Sequence, residues 1–166
     1  MNPAEPRADQ SFEGIRISAA DWPVVLVEFP EKRVADASLH SALGHLESLM
    51  RDAASARERL FILTDIGAMR EIAPASQRRY TAEWMKRVEP LSRISAVGGA
   101  TVTPSSILRG ILTAVFWIQP PIGTMVTAAT RHEAMLKGIQ ALESKGVRLP
   151  PRLVAYRDGR SLSRAG

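Results

Sequence analysis

Leu60-Phe61-Ile62-Leu63, closed by Thr64-Asp65, is the stretch that decides the fold. Four consecutive apolar residues leave neither face of a strand polar, so this strand belongs in the middle of a sheet covered on both sides. Its neighbours in sequence supply the cover. Upstream, residues 36–54 place Leu39, Leu43, Leu46, Leu49, Met50 and Ala53 three and four apart, which gives a helix one apolar stripe. Asp36 or Ser38 can cap its start by accepting from the free N–H groups of the first turn. Downstream, Tyr80 or Thr81, Trp84 and Val88 repeat the pattern over residues 74–88. Pro74 suits the first helical position, and Pro90 is expected to stop the helix.

Further out, Ile15 and Ile17 alternate with Arg16 and Ser18, and residues 24–29 are rich in β-branched side chains. The short connection between them predicts an antiparallel pair. Residues 94–102 read as a strand whose Gly98-Gly99 implies a bulge or close backbone packing. Thr103-Pro104 opens a helix over 105–118, and residues 125–129 form the last strand. Thr130-x-x-Glu133 is a capping box for a helix that runs to residue 145, where Gly146 supplies a left-handed cap and Val147 packs back. The expected order is β-β-α-β-α-β-α-β-α: an α/β domain with a mixed, mostly parallel five-stranded sheet, an antiparallel edge hairpin and four covering helices. Residues 12–150 form the domain, 1–11 a disordered lead, and 151–166 a basic flexible tail.

At 166 residues, with 45% hydrophobic and 23% charged side chains, the chain has the size and composition of one globular domain. The absence of cysteine excludes disulfides, thiol catalysis and cysteine-bound zinc. The formal charge is +5, but the last fifteen residues alone hold Arg152, Arg157, Arg160 and Arg164 against Asp158. The rest is nearly balanced and lacks the basic stripe of a nucleic-acid binder. No apolar h-region opens the chain, and no apolar run reaches the ~18 residues of a membrane span. A soluble, cytoplasmic protein without an integral membrane segment is expected.

The strand ending Leu63-Thr64-Asp65, the helix segment Arg78-Arg79-Tyr80-Thr81-Ala82-Glu83-Trp84, the strand at 94–102 with the apolar helix after it, and Ala128-Ala129-Thr130-Arg131-His132-Glu133-Ala134 together resemble the SpoIIAA-like, or STAS-like, family of small bacterial α/β domains. The resemblance covers roughly residues 13–147. It implies a non-enzymatic interaction or ligand-binding module that is often dimeric. Anti-sigma-factor antagonists related to this family carry a phosphorylatable serine just after the central strand. This chain has Asp65-Ile66-Gly67-Ala68 there, and its nearest serine, Ser76, is well downstream, so no phosphoserine switch is expected.

Catalytic signatures are missing. His40 and His45 are five apart and share no helix face, so they read as two solvent-side residues, and His132 reads as a surface residue. No nucleophile elbow, Walker A loop or dinucleotide fingerprint occurs. No catalytic residue, metal or cofactor is expected. Asp65 ends the central strand, where open α/β sheets place ligands, although an aspartate there also commonly caps the following turn. Thr103, Ser105, Ser106 and Arg109 gather at the same edge and, with Asp65, could hold a small anion. On residues 74–88, Arg78, Arg79, Lys86 and Arg87 read as a solvated face rather than a nucleic-acid surface.

The 105–118 helix is apolar nearly all round. Ile107, Ile111, Ala114, Val115 and Ile118 can form the stripe that faces the sheet. Leu108, Leu112, Phe116 and Trp117 then point elsewhere, and contiguous apolar surface of that kind marks a partner or ligand site. A homodimer interface is the first expectation, another protein partner fits the same surface, and a small apolar ligand is the alternative.

Overall fold

The computed structural model describes residues 9–71, 73–107, 109–110 and 124–159. Strands β1 (Gln10–Phe12), β2 (Ile15–Ser18) and β3 (Val24–Glu28) precede helix α1 (Asp36–Ser55). There follow β4 (Leu60–Asp65), α2 (Ala75–Ser95), β5 (Ala96–Val102), β6 (Thr124–Ala128), α3 (Arg131–Ser144) and α4 (Pro151–Arg157). Ser106, Ile107, Arg109 and Gly110 are also helical. All six strands join one sheet in sequential order. The pairs β1–β2 and β2–β3 are antiparallel, and β3 through β6 run parallel.

The period-2 geometry of the strands sorts their side chains into two cores. Val25, Val27, Leu60 and Ile62 face α1 and α2, together with Leu39, Leu46, Met50, Trp84 and Val88. Val24, Phe61, Leu63, Val97 and Ala100 face α3 and α4, together with Ile139, Leu142 and Leu153. Strand β4 is therefore apolar on both sides because both sides are covered.

The sheet has six strands where five were expected, and the chain is ordered at residues expected in the lead. Gln10 and Ser11 belong to β1, which pairs with β2 through a two-residue turn at Glu13 and Gly14, both with positive φ (44° and 99°). That is the turn whose twist suits a hairpin, and glycine makes it accessible. The expected tail begins as helix α4, because Leu153 is buried in the second core with Tyr156 packed beside it. Residues 160–166 lie outside the described residues.

Pro90 does not end α2; the helix continues to Ser95, and Ile94 stands exposed on it instead of opening a strand. Proline removes one backbone hydrogen bond. Beyond it, however, Leu91 packs on the first core, Ser95 Oγ donates to Leu91 O (2.8 Å) and Arg93 pairs with Glu89 (2.7 Å). Pro74 is the cap residue rather than the first helical one. Neither Asp36 nor Ser38 caps α1. Asp36 accepts from Gln77 Nε2 (2.7 Å) and Ser38 donates to Glu13 (2.5 Å), so both side chains tie α1 to other elements.

Two glycines set close approaches. A Cβ on Gly99 would stand 2.7 Å from Ile62 O, and the β4–β5 register shifts beside it, so the Gly98-Gly99 pair gives both the bulge and the tight packing. A Cβ on Gly138 would stand 2.6 Å from the Phe61 ring. Gly138→Ala is expected to cost about 1–3 kcal/mol through overpacking. Phe61→Leu should relieve that cost in the double variant, which thermal denaturation of the cycle would show; simple additivity would refute the contact as its cause.

His45 is half-buried beside Phe12, not solvent-side, with ring centroids 5.8 Å apart. His40 stacks on Tyr80 across the α1–α2 interface (3.6 Å). Burial pushes the His45 pKa below its ordinary value, against the opposing pull of Asp52. Its unfolded form then binds the proton more readily, so stability is lost as pH falls through the unfolded histidine value of about 6.5. His45→Gln should flatten that part of the profile in urea titrations; an unchanged slope would assign it elsewhere.

Candidate functional site

The parallel strands β3 to β5 end together, and the register places Glu28 directly beside Asp65 and Asp65 beside Val102. Two carboxylates on neighbouring strands repel unless a cation joins them. Arg131, the first residue of α3, joins them: Nη2 lies 2.5 Å from Glu28 Oε1, and Nε pairs with Asp65 Oδ2. Thr130 delivers that arginine by capping α3. Its Oγ1 accepts from Glu133 N (3.1 Å), and Glu133 Oε2 accepts from Ala129 N (2.8 Å), one residue earlier than the reciprocal capping-box contact.

The charges continue outward in alternation. Glu28 Oε2 faces Arg16 Nη1 at 3.4 Å, without hydrogen-bond geometry. Arg16 in turn pairs with Asp9 (2.6 Å), whose other oxygen accepts from Ser18 (2.5 Å). Bonds from Ser18 and Arg16 hold the Asp9 carboxyl below its usual pKa. Burial opposes the charge of Arg131, but its pairs with Asp65 and Glu28 outweigh that and raise its pKa. An open cavity of about 540 Å³ lies over this network, bordered by Gly14, Phe29, Gly67, Pro104 and Thr130.

Asp65 is where the sequence places it, at the sheet's C-terminal edge, and only 8% exposed. Its Oδ1 accepts from Gly67 N (2.8 Å), the turn-capping role, while Oδ2 is taken by Arg131. Thr103 is buried, donates its N–H to Ala128 O (3.0 Å), and accepts weakly from Ser105 N (3.4 Å). Arg109 turns onto the backbone, donating to Thr103 O (2.7 Å) and Pro104 O (2.8 Å). Ser106 is exposed in the first helical turn. The five candidates thus share one edge, but Arg109 closes its loop instead of facing the cavity.

Sequence reasoning missed Glu28, Arg16 and Arg131. Only the last had a signal: Arg131 follows the threonine expected to cap a helix at that edge, whereas Glu28 lay inside the strand expected over 24–29, whose expected partner was the antiparallel strand before it. Among the described residues, no three His, Asp or Glu side chains converge to hold a metal ion. Trp84 is buried and Tyr80 stacks on His40, so neither ring is offered to a base. His132 is exposed, with Nδ1 2.9 Å from Tyr156 Oη. Leu108, Leu112, Phe116 and Trp117 lie outside the described residues.

Chemically, the network joins α3 to the sheet edge. Arg131→Met leaves Glu28 and Asp65 facing each other. Because the arginine side chain is 54% exposed, the expected loss is roughly 1–2 kcal/mol, below that of a fully buried pair. Adding Asp65→Asn should restore part of it in a double-mutant cycle read by chemical denaturation; strict additivity would show that the pair contributes nothing.

Comparison of the chain with protein-family models, with curated proteins and with solved structures finds no match in any of the three.

Proposed function

We propose that this chain is a non-enzymatic regulatory module of the STAS-like kind, cytoplasmic, and acting through protein–protein contacts that include a homodimer formed by segment 105–118. The observation that carries the reading is Ile107. It stands 75% exposed at the start of a segment whose sequence is apolar nearly throughout. Ile107 was expected to face the sheet and instead faces outward, so apolar surface is exposed from the segment's beginning. Burying such surface against a second copy removes it from water at about 25 cal/mol per Å². The sequential sheet, with helices returning between its parallel strands, supports the family reading.

The charged edge supports a role without chemistry. Asp65 has both oxygens engaged, Arg131 serves two carboxylates, and Arg109 serves two carbonyls. A general base or nucleophile needs a free group matched to a proton or an electrophile. No helix of the described residues is long and apolar enough to cross a membrane. The second reading, a small apolar or anionic ligand at this edge, draws support from the cavity of about 540 Å³ above Asp65.

Sedimentation velocity at micromolar concentration tests the proposal. The wild-type chain should sediment as a dimer. Leu112→Gln with Trp117→Gln should shift it to monomer with an unchanged circular dichroism spectrum, since truncating an interface anchor weakens association by roughly thirtyfold or more. A wild-type monomer would overturn the dimer.

A further inference from the structure

At the opposite edge of the sheet, three loops border an open cavity of about 890 Å³. They are the turn before β3, the α1–β4 connection, and the segment from the end of α3 into α4. The size falls within the range of about 300–1,000 Å³ typical of small-molecule sites. The walls are tied together: Trp22 Nε1 donates to Glu58 Oε2 (2.8 Å), and Arg152 Nε pairs with Asp21 Oδ1 (2.9 Å). The two carboxylates that line the cavity are thereby engaged. Arg57, Arg59, Lys145 and Arg148 also line it, all exposed and none in an ion pair with a described residue.

Helix ends do not account for these cations. The C-termini of α1 and α3 both point here, and each carries about half a negative charge. Four cations with no ion-pair partner among the described residues exceed that. Both ends are also closed by the same backbone motif. In α1, Arg57 N donates to Ala54 O (3.1 Å) and Glu58 N to Ala53 O (2.8 Å). In α3, Gly146 N donates to Glu143 O (2.9 Å) and Val147 N to Leu142 O (3.0 Å). The left-handed residue of the second motif is glycine, at φ 71°, whereas that of the first is Arg57, at φ 56°. Glycine takes that conformation without strain and arginine does not. The fold alone would therefore be better served by glycine at position 57. A strained residue held at a cavity rim beside three other cations is placed for its side chain.

The geometry points to this cavity as a binding site for a small phosphorylated organic molecule. Arg57, Arg59, Lys145 and Arg148 take the phosphate, and the carbon body lies against Trp22 and Leu149. Guanidinium groups match phosphate by paired hydrogen bonds, and lysine adds charge.

The test is an NMR titration with phenyl phosphate, monitored at the backbone amides of residues 57–59 and 145–149 and at the Trp22 indole N–H. Saturable shifts confined to those signals, weakened by added salt, are expected. Arg148→Ala should weaken binding about five- to tenfold with no change in melting temperature. Arg57→Gly is expected to weaken binding similarly while raising the melting temperature, a pairing that a merely structural arginine would not produce. Inorganic phosphate should bind at the same signals more weakly. Any of three results would overturn the proposal: no saturable response to phenyl phosphate, equal binding by Arg57→Glu/Arg148→Glu, or binding only to phosphatidic-acid vesicles or a single-stranded oligonucleotide.

Discussion

Strand β4 buries apolar side chains on both of its faces, and every other element is arranged to make that possible. Leu60 and Ile62 require α1 and α2 on one side, while Phe61 and Leu63 require α3 and α4 on the other. A strand covered on both faces takes parallel neighbours through helical crossovers. The parallel strands then end at one edge, and their terminal side chains meet there whether or not their charges agree. Glu28 and Asp65 are brought together in this way, and the arginine between them is a consequence of the burial further down the same strands.

Burial also explains which local rules gave way. Proline at position 90 should have ended α2, but the residues beyond it had apolar and hydrogen-bonding partners waiting, and one lost backbone bond did not outweigh them. Asp36 and Ser38 are good capping residues that are used to join α1 to Gln77 and Glu13. In each case a tertiary contact displaced a local preference, as is usual where propensities differ by less than a packing interaction.

The fold was legible because its signals are periodic and local. The double-sided apolar run, the helix stripes, the Thr130–Glu133 cap and the Gly146 corner can each be read from a few adjacent residues. Strand β1 was not legible, since Gln10-Ser11-Phe12 offers one apolar residue and depends on β2 for its existence. Helix α4 was hidden because the arginines at 152, 157, 160 and 164 mark the whole C-terminal stretch as basic, while Leu153 and Tyr156, three apart, are the short stripe that docks it on the second core. At the sheet edge, Asp65 could be picked out as a strand terminus. Its partner lies 66 residues away, and only the sheet register reveals that Glu28 competes for the same guanidinium.

Helix α3 has its first residue in the charged network and its end at the cavity on the far side of the sheet. Fourteen residues at 1.5 Å each make a rod of about 21 Å. Near its middle, Gly138 rests directly on the Phe61 ring with no side chain between. Ala134, Ile139 and Leu142 are buried on either side of that contact, so the missing Cβ sets how closely the whole rod lies on the sheet, and with it the level at which its two ends reach the two rims.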